Sequence, residues 1–216
     1  MAPSECSQAK ILLGAASAVC FLLTSCAQPE PELPADRIEA AATCFAAKLA
    51  QIPGTTMSAS ETDAAAHFLF LGAVKDGLAS PAALQQATEL GNSLQDKVVE
   101  GGNPASYNGP CESRFPQTKA GTFKGLPEDS RDTRMMCLTL STSLLQTYQS
   151  AGATPSPETV AMNAKLDSSL MGEYNAEANL NPAELAGVAM RAMAKAAVLG
   201  PVGDVSKACS ERYGRD

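Results

Sequence analysis

The sequence predicts an all-α protein, a tandem duplication of a four-helix unit in which each unit is closed by one disulfide. Three observations carry this reading. The 216 residues include 38 alanines, only 5% aromatics and no tryptophan. That mixture favours closely packed helices over strands, which draw on β-branched and aromatic side chains. Caps, Ser-Pro and Asn-Pro pairs and glycines punctuate the chain at helical lengths. Four cysteines recur as two matched pairs. With 45% hydrophobic and 18% charged residues, the chain has the composition of one or two ordinary globular domains.

Residues 35–52 place Ile38, Ala42, Phe45, Leu49 and Ile52 on one helical face, and Pro53-Gly54 stops the run. Ser60-Glu61-Thr62-Asp63 reads as an N-cap with an acid three residues on, opening a helix from Ala64 to Asp76 that Gly77 ends. Ser80 and Pro81 supply a cap and a first-turn proline for a third helix to about Val99, before Gly101-Gly102. A short helix from Pro110 to Phe115 completes a first unit over 35–116. The stretch from Gln117 to Gly125 has no period, so 117–126 is read as a linker.

The same order follows in a second unit, 127–216. Residues 128–150 align Cys137, Leu140, Leu144 and Tyr148, and Ala151-Gly152 closes that helix. Ser156-Pro157-Glu158 opens the next helix, Asn181-Pro182 the third, and residues 204–213 form a last short one. Ser80-Pro81-Ala82-Ala83-Leu84 answers Asn181-Pro182-Ala183-Glu184-Leu185, and Cys111-Glu112-Ser113-Arg114-Phe115 answers Cys209-Ser210-Glu211-Arg212-Tyr213. Matched positions lie roughly 100 residues apart, as a duplication with small loop insertions requires. A common helix start explains the proline matches without a repeat. It does not readily explain two cysteines per unit, the second followed each time by Arg and an aromatic.

The N-terminal segment reads as an address. Ile11 to Leu23 is an apolar run too short for a bilayer, which takes about 20 residues, and it has the shape of a signal-peptide core. The tetrad that ends it, Leu23-Thr24-Ser25-Cys26, resembles the lipobox of bacterial lipoproteins. The resemblance implies that residues 1–25 are a signal peptide, that Cys26 is lipidated, and that Cys26 begins the mature chain. Two or three acyl chains on one residue exceed the single chain that binds a membrane only marginally. By analogy with Gram-negative lipoproteins, Ala27 after the cysteine implies sorting to the outer membrane, facing the periplasm. The alternative is ordinary cleavage before Gln28 and a soluble periplasmic protein. Residues 26–34 carry three prolines and two acids over Pro29-Glu30-Pro31-Glu32-Leu33-Pro34, a composition that extends as polyproline II at ~3.1 Å per residue. They form a tether.

In an oxidising compartment Cys44, Cys111, Cys137 and Cys209 form an even set after Cys6 and Cys20 leave with the signal peptide. Four cysteines allow three connectivities. The repeat selects Cys44 with Cys111 and Cys137 with Cys209. A zinc site is the rival, but structural zinc draws on C-x-x-C pairs and none is present.

Few residues offer catalysis. His67, the single histidine, sits in an apolar helix, where one hydrogen bond is its ordinary fate and a general base the alternative. Glu61, Asp63, Asp129, Asp132, Glu158 and Glu211 are assigned mostly to first helical turns, where they oppose the macrodipole, although a glycosidase pair could hide among them. Met190 and Met193, one turn apart, are read as core in preference to a Cu(I) site. Gly101-Gly102 follows a helix and lacks the Lys-Ser/Thr of a phosphate loop. A net charge of −7 with no basic cluster excludes nucleic acid as a partner, and no cofactor motif is present. The expectation is a non-enzymatic envelope lipoprotein, a helical binding or scaffold module with the membrane and an envelope protein as partners. The alternatives are a periplasmic carrier of a small apolar ligand and an envelope-polymer hydrolase working through carboxylates.

Overall fold

A helix begins where a side chain accepts the first unpaired N–H groups, and most helix starts here are fixed in that way. The computed structural model describes residues 30–54, 57–177 and 181–214. The segment expected to be a signal peptide (1–25), the lipobox-like tetrad with Cys26 and the start of the expected tether, as far as Pro29, lie outside the described residues. Within the tether, residues 30–34 adopt neither helix nor strand, and Leu33 packs on the core.

Asp36 caps α1 (Arg37–Leu49), its Oδ1 accepting from the N–H of Ile38 and Glu39 at 2.9 and 3.0 Å. Ala40, Ala41, Ala42, Cys44, Phe45, Ala46 and Ala47 are all buried, so α1 buries far more than the single stripe expected, and Ile52 falls beyond its end. The small alanines allow neighbours to approach from every side. The second helix, α2 (Ala59–Ala73), starts five residues earlier than expected. Ser58, not Ser60, is the N-cap: its N–H donates to Glu61 Oε2 at 2.8 Å and its Oγ accepts from the Glu61 N–H at 3.3 Å. Ser58-x-x-Glu61 and Ser60-x-x-Asp63 are equivalent as patterns. Packing separates them, because Met57 and Ala59 rest on the core and Asp63 is drawn inward.

Gly77 does not end a helix. Val74–Lys75 (β1) and Leu78–Ala79 (β2) pair antiparallel around Asp76 and Gly77, at φ 53° and 76°. Two consecutive positive φ values make this the Asp-Gly turn of a tight hairpin. It is the one strand pairing among the described residues, in a chain that is otherwise mostly helical. Ser80 then caps α3 (Pro81–Glu100), and a 3₁₀ turn over Pro104–Tyr107 leads into α4 (Asn108–Arg114).

Ser130 caps α5 (Arg131–Ala151), which ends on Gly152 in the left-handed conformation. Ser156 Oγ accepts from the Thr159 N–H at the start of α6 (Pro157–Glu177). A capping box of Asn181 and Glu184 starts α7 (Pro182–Leu199), and α8 spans Val202–Tyr213. Residues 117–126 do not hang free. Phe123 and Leu126 pack on the core, with the Phe123 backbone against Gly200, where a Cβ would lie 2.8 Å from the Phe123 Cα.

Cys44 is joined to Cys111 and Cys137 to Cys209, tying α1 to α4 and α5 to α8 with Cα separations of 5.7 and 5.6 Å. These are the pairs selected from the sequence, and all four cysteines are buried. The arginine after each second cysteine makes an analogous bond. Arg114 Nη2 donates to the Ala35 carbonyl at 2.9 Å, just before α1, and Arg212 Nη1 donates to the Pro127 carbonyl at 2.6 Å, just before α5. The two sets of four helices nonetheless pack differently. α2 lies at the centre, against α1, α3, α5, α7 and α8, whereas α6, second in the other set, packs chiefly against α5 and α8.

α1 and α2 approach so closely that a Cβ on Gly72 would overlap the Cβ of Ala41. By contrast, Gly172 in α6 is exposed with nothing within 4 Å of its Cβ position. Gly72→Ala is therefore expected to lower stability by about 1–2 kcal/mol through overpacking, despite the helix propensity gained. Gly172→Ala is expected to raise it by about 0.5–1 kcal/mol. Urea denaturation midpoints of the two variants check both signs.

Candidate functional site

α2 and α8 face each other through small side chains. Ser60, Asp63, Ala64 and His67 share one side of α2, and Gly203, Ser206, Ser210 and Gly214 recur at helical spacing along α8. These residues line a cleft of about 790 Å³, extended by the end of α1, by α4 and by the start of α6. This volume lies within the ~300–1,000 Å³ typical of ligand sites. A second cavity, of about 370 Å³, lies between α1, α2, α3 and α5, with Phe45, Leu69 and Leu84 in its walls and Asn92, Gln95 and Gln146 at its edge.

Polar groups at the floor of the larger cleft are buried. Asp63, at 8% exposure, accepts a short hydrogen bond on Oδ1 from the Tyr148 hydroxyl of α5. Its Oδ2 receives no hydrogen bond from the described residues and lies beside Gly203, where a Cβ would sit 3.3 Å away. Burial pushes the Asp63 carboxyl up to about 6, against the opposing pull of the Tyr148 bond. Burial also raises the Tyr148 phenol, and the Asp63 carboxylate adds to that. His67 bonds through Nε2 to the Ala197 carbonyl of α7 at 2.7 Å. A carbonyl only accepts, so Nε2 carries the proton and Nδ1 of the neutral ring keeps a lone pair. Burial holds this imidazole down at about 4, with the carbonyl bond opposing. At neutral pH the floor thus holds one carboxylate, a neutral imidazole and a neutral phenol.

The structure scatters the other sequence candidates. Glu61 serves the α2 capping box, and Ser58's hydrogen bonds hold its carboxyl below the usual range. Asp129 accepts from the Tyr213 hydroxyl at 2.7 Å, and Asp132 pairs with Lys195 at 2.8 Å. Glu158 and Glu211 reach the rim of the cleft, and Glu211 lies in the last turn of α8, not in a first turn. Asp63 is the fifth residue of α2, again outside the first turn, and it faces the core. Met193 is buried in the core and Met190 is half-buried. Gly101-Gly102 ends α3. Tyr148, read from the sequence as a core residue, proves to be the partner of Asp63. The two are 85 residues apart in sequence, and no local pattern links them. Among the described residues no group of three or more His, Cys, Asp or Glu could hold a metal ion, and no single helix is long and apolar enough to cross a membrane. In comparisons with known proteins, no family model, curated protein or solved structure matches the chain.

Asp63 and His67 act on stability in opposite senses over one pH window. Folding raises the Asp63 pKa from 3.8 to about 6, so its stabilising contribution is complete below about pH 4 and is lost as pH rises through 6. Folding lowers the His67 pKa from 6.5 to about 4, so its contribution is complete above pH 6.5 and is lost as pH falls through 4. Each contribution is on the order of 3 kcal/mol, and in the parent they largely cancel. Asp63→Asn is expected to lose stability as pH falls from 6.5 to 4.5. His67→Gln, which keeps a donor for Ala197, is expected to gain it over the same range. Urea midpoints at both pH values, relative to the parent, check the opposed slopes.

Proposed function

We propose that this chain is a non-enzymatic, lipid-anchored binding module of the cell envelope, held at the membrane through Cys26 and carrying a small, largely apolar ligand in the cleft between α2 and α8. The cleft is the observation that carries this reading. It is concave, its lining is more apolar than polar, and both disulfide-tied sets of helices contribute walls. A flat scaffold surface would need no such volume. The His67 Nε2 proton is held by a main-chain carbonyl, and its position supports a structural role over that of a general base. The lipobox resemblance of Leu23-Thr24-Ser25-Cys26 supports the anchor, and Ala27 supports the outer membrane with the domain facing the periplasm. A tether lets the module meet an envelope partner at raised effective concentration.

The duplication belongs to the same proposal. Two observations support it: the first-to-last helix bridges, and the bonds of Arg114 and Arg212 to carbonyls at the entry of α1 and α5. Divergence of two such copies would explain why one second helix became the central α2 and the other the outer α6.

Metabolic labelling with a fatty-acid analogue is expected to mark the parent and not Cys26→Ser, with the variant leaving the membrane fraction. Equal labelling would overturn the anchor. Native mass spectrometry of the domain is expected to show a non-covalent ligand that Ala64→Trp, which fills the cleft, displaces. Unchanged ligand mass in a folded Ala64→Trp variant would overturn the carrier reading.

A further inference from the structure

We propose that the ligand of this cleft bears a primary ammonium group on an apolar body, the ammonium seated on Asp63 Oδ2; this rests on the carrier reading above. A carboxylate this deeply buried is costly unless charge or donors meet it. Tyr148 satisfies Oδ1, but Oδ2 borders the cleft and receives no hydrogen bond from the described residues, and no ion pair with Asp63 forms among them. An ammonium in the cleft would bring a donor and an opposite charge to this oxygen. Its neighbours suit a cation. Phe68 and Tyr148 are among the residues that line the cleft, and aromatic rings attract ammonium groups. His67, the nearest potential cation on α2, is neutral.

Charge at the mouth acts in the same direction. Exposed Glu112 of α4, Glu158 of α6, and Asp204 and Glu211 of α8 surround it. Against them stand only Lys48 of α1 and Lys207 of α8 among the lining residues. A cleft with this excess of carboxylates draws cations inward. Ala59, Ala64 and Val202 then leave an apolar surface for the body of the ligand.

The test compares n-octylammonium, 1-octanol and octanoate as probes of equal chain length, titrated calorimetrically into the full disulfide-bonded domain at pH 7.5. Octylammonium is expected to bind about tenfold tighter than octanol, and octanoate weakest. Asp63→Asn should reduce the octylammonium preference to within about twofold of octanol. In the parent, without any substitution, octylammonium affinity should fall about tenfold from pH 7.5 to pH 5 while octanol is unchanged, as Asp63 takes up its proton. Equal binding of octylammonium and octanol, or a preference that persists in Asp63→Asn or at pH 5, would overturn the ammonium assignment. It would leave the carrier reading standing so long as Ala64→Trp still blocks both probes. Failure of all three probes to bind the parent would overturn both.

Discussion

A helix buried from Thr62 to Ala73, with only Ala64 part-exposed among those residues, must be enclosed by other elements, and α2 is met by five helices. That enclosure organises the molecule. It sets the requirement for small residues where helices meet α2, since Gly72 of α2 against Ala41 of α1 leaves no room for a larger side chain, and the contact of Gly91 of α3 with Phe45 of α1 is as tight. Interiors are packed to crystal-like density, so such contacts fix the relative positions of helices within tenths of an ångström. The bridges complete the arrangement by tying α1 to α4 and α5 to α8. Phe115, next to the first bridge, is fully buried, edge-on to Phe68 of α2 and beneath the Arg37 guanidinium of α1.

Enclosure also brings polar groups inside, and each then needs a partner. His67 finds the Ala197 carbonyl, and Asp63 finds Tyr148. The Asp63 arrangement remains half complete, with one oxygen bonded and the other beside the cleft. A core selected for stability alone would replace such a carboxylate with an apolar residue, because a buried charge without a matching partner destabilises the folded state. Its position beside a cavity of ligand size connects the packing of α2 to the binding role proposed above. Gly203, Ser206 and Ser210 of α8 line that cavity, and under the proposal Asp63 would set its chemical preference.

Much of the fold was legible because its signals are local. Ser80-Pro81 and Asn181-Pro182 start helices where the caps say they should, and Gly152 ends one in the left-handed geometry that glycine permits. The cysteine pairing was legible through a recurring pattern, each Cys-x-x-Arg-aromatic segment being bridged to the first helix of its own set. The misreadings have a common cause. Ser58 and Ser60 both satisfy the capping pattern, Asp76-Gly77 serves a hairpin as well as a helix end, and an acid near a helix start looks like a dipole partner whether or not it faces inward.

The sequence by itself determined the helical class, most helix boundaries and which cysteines bridge, because caps, breakers and repeated spacings act over a few residues or recur along the chain. Only the tertiary structure decided that α2 is central while α6 is peripheral, that residues 117–126 lie packed on the core, and that Asp63, Tyr148 and α8 meet at one cleft. A helix that is apolar all round carries no periodicity to say which neighbours will cover it. Asp63 and Tyr148 are brought together by the choice of those neighbours, and that choice is made by shape complementarity among alanine and glycine faces that look alike in the sequence.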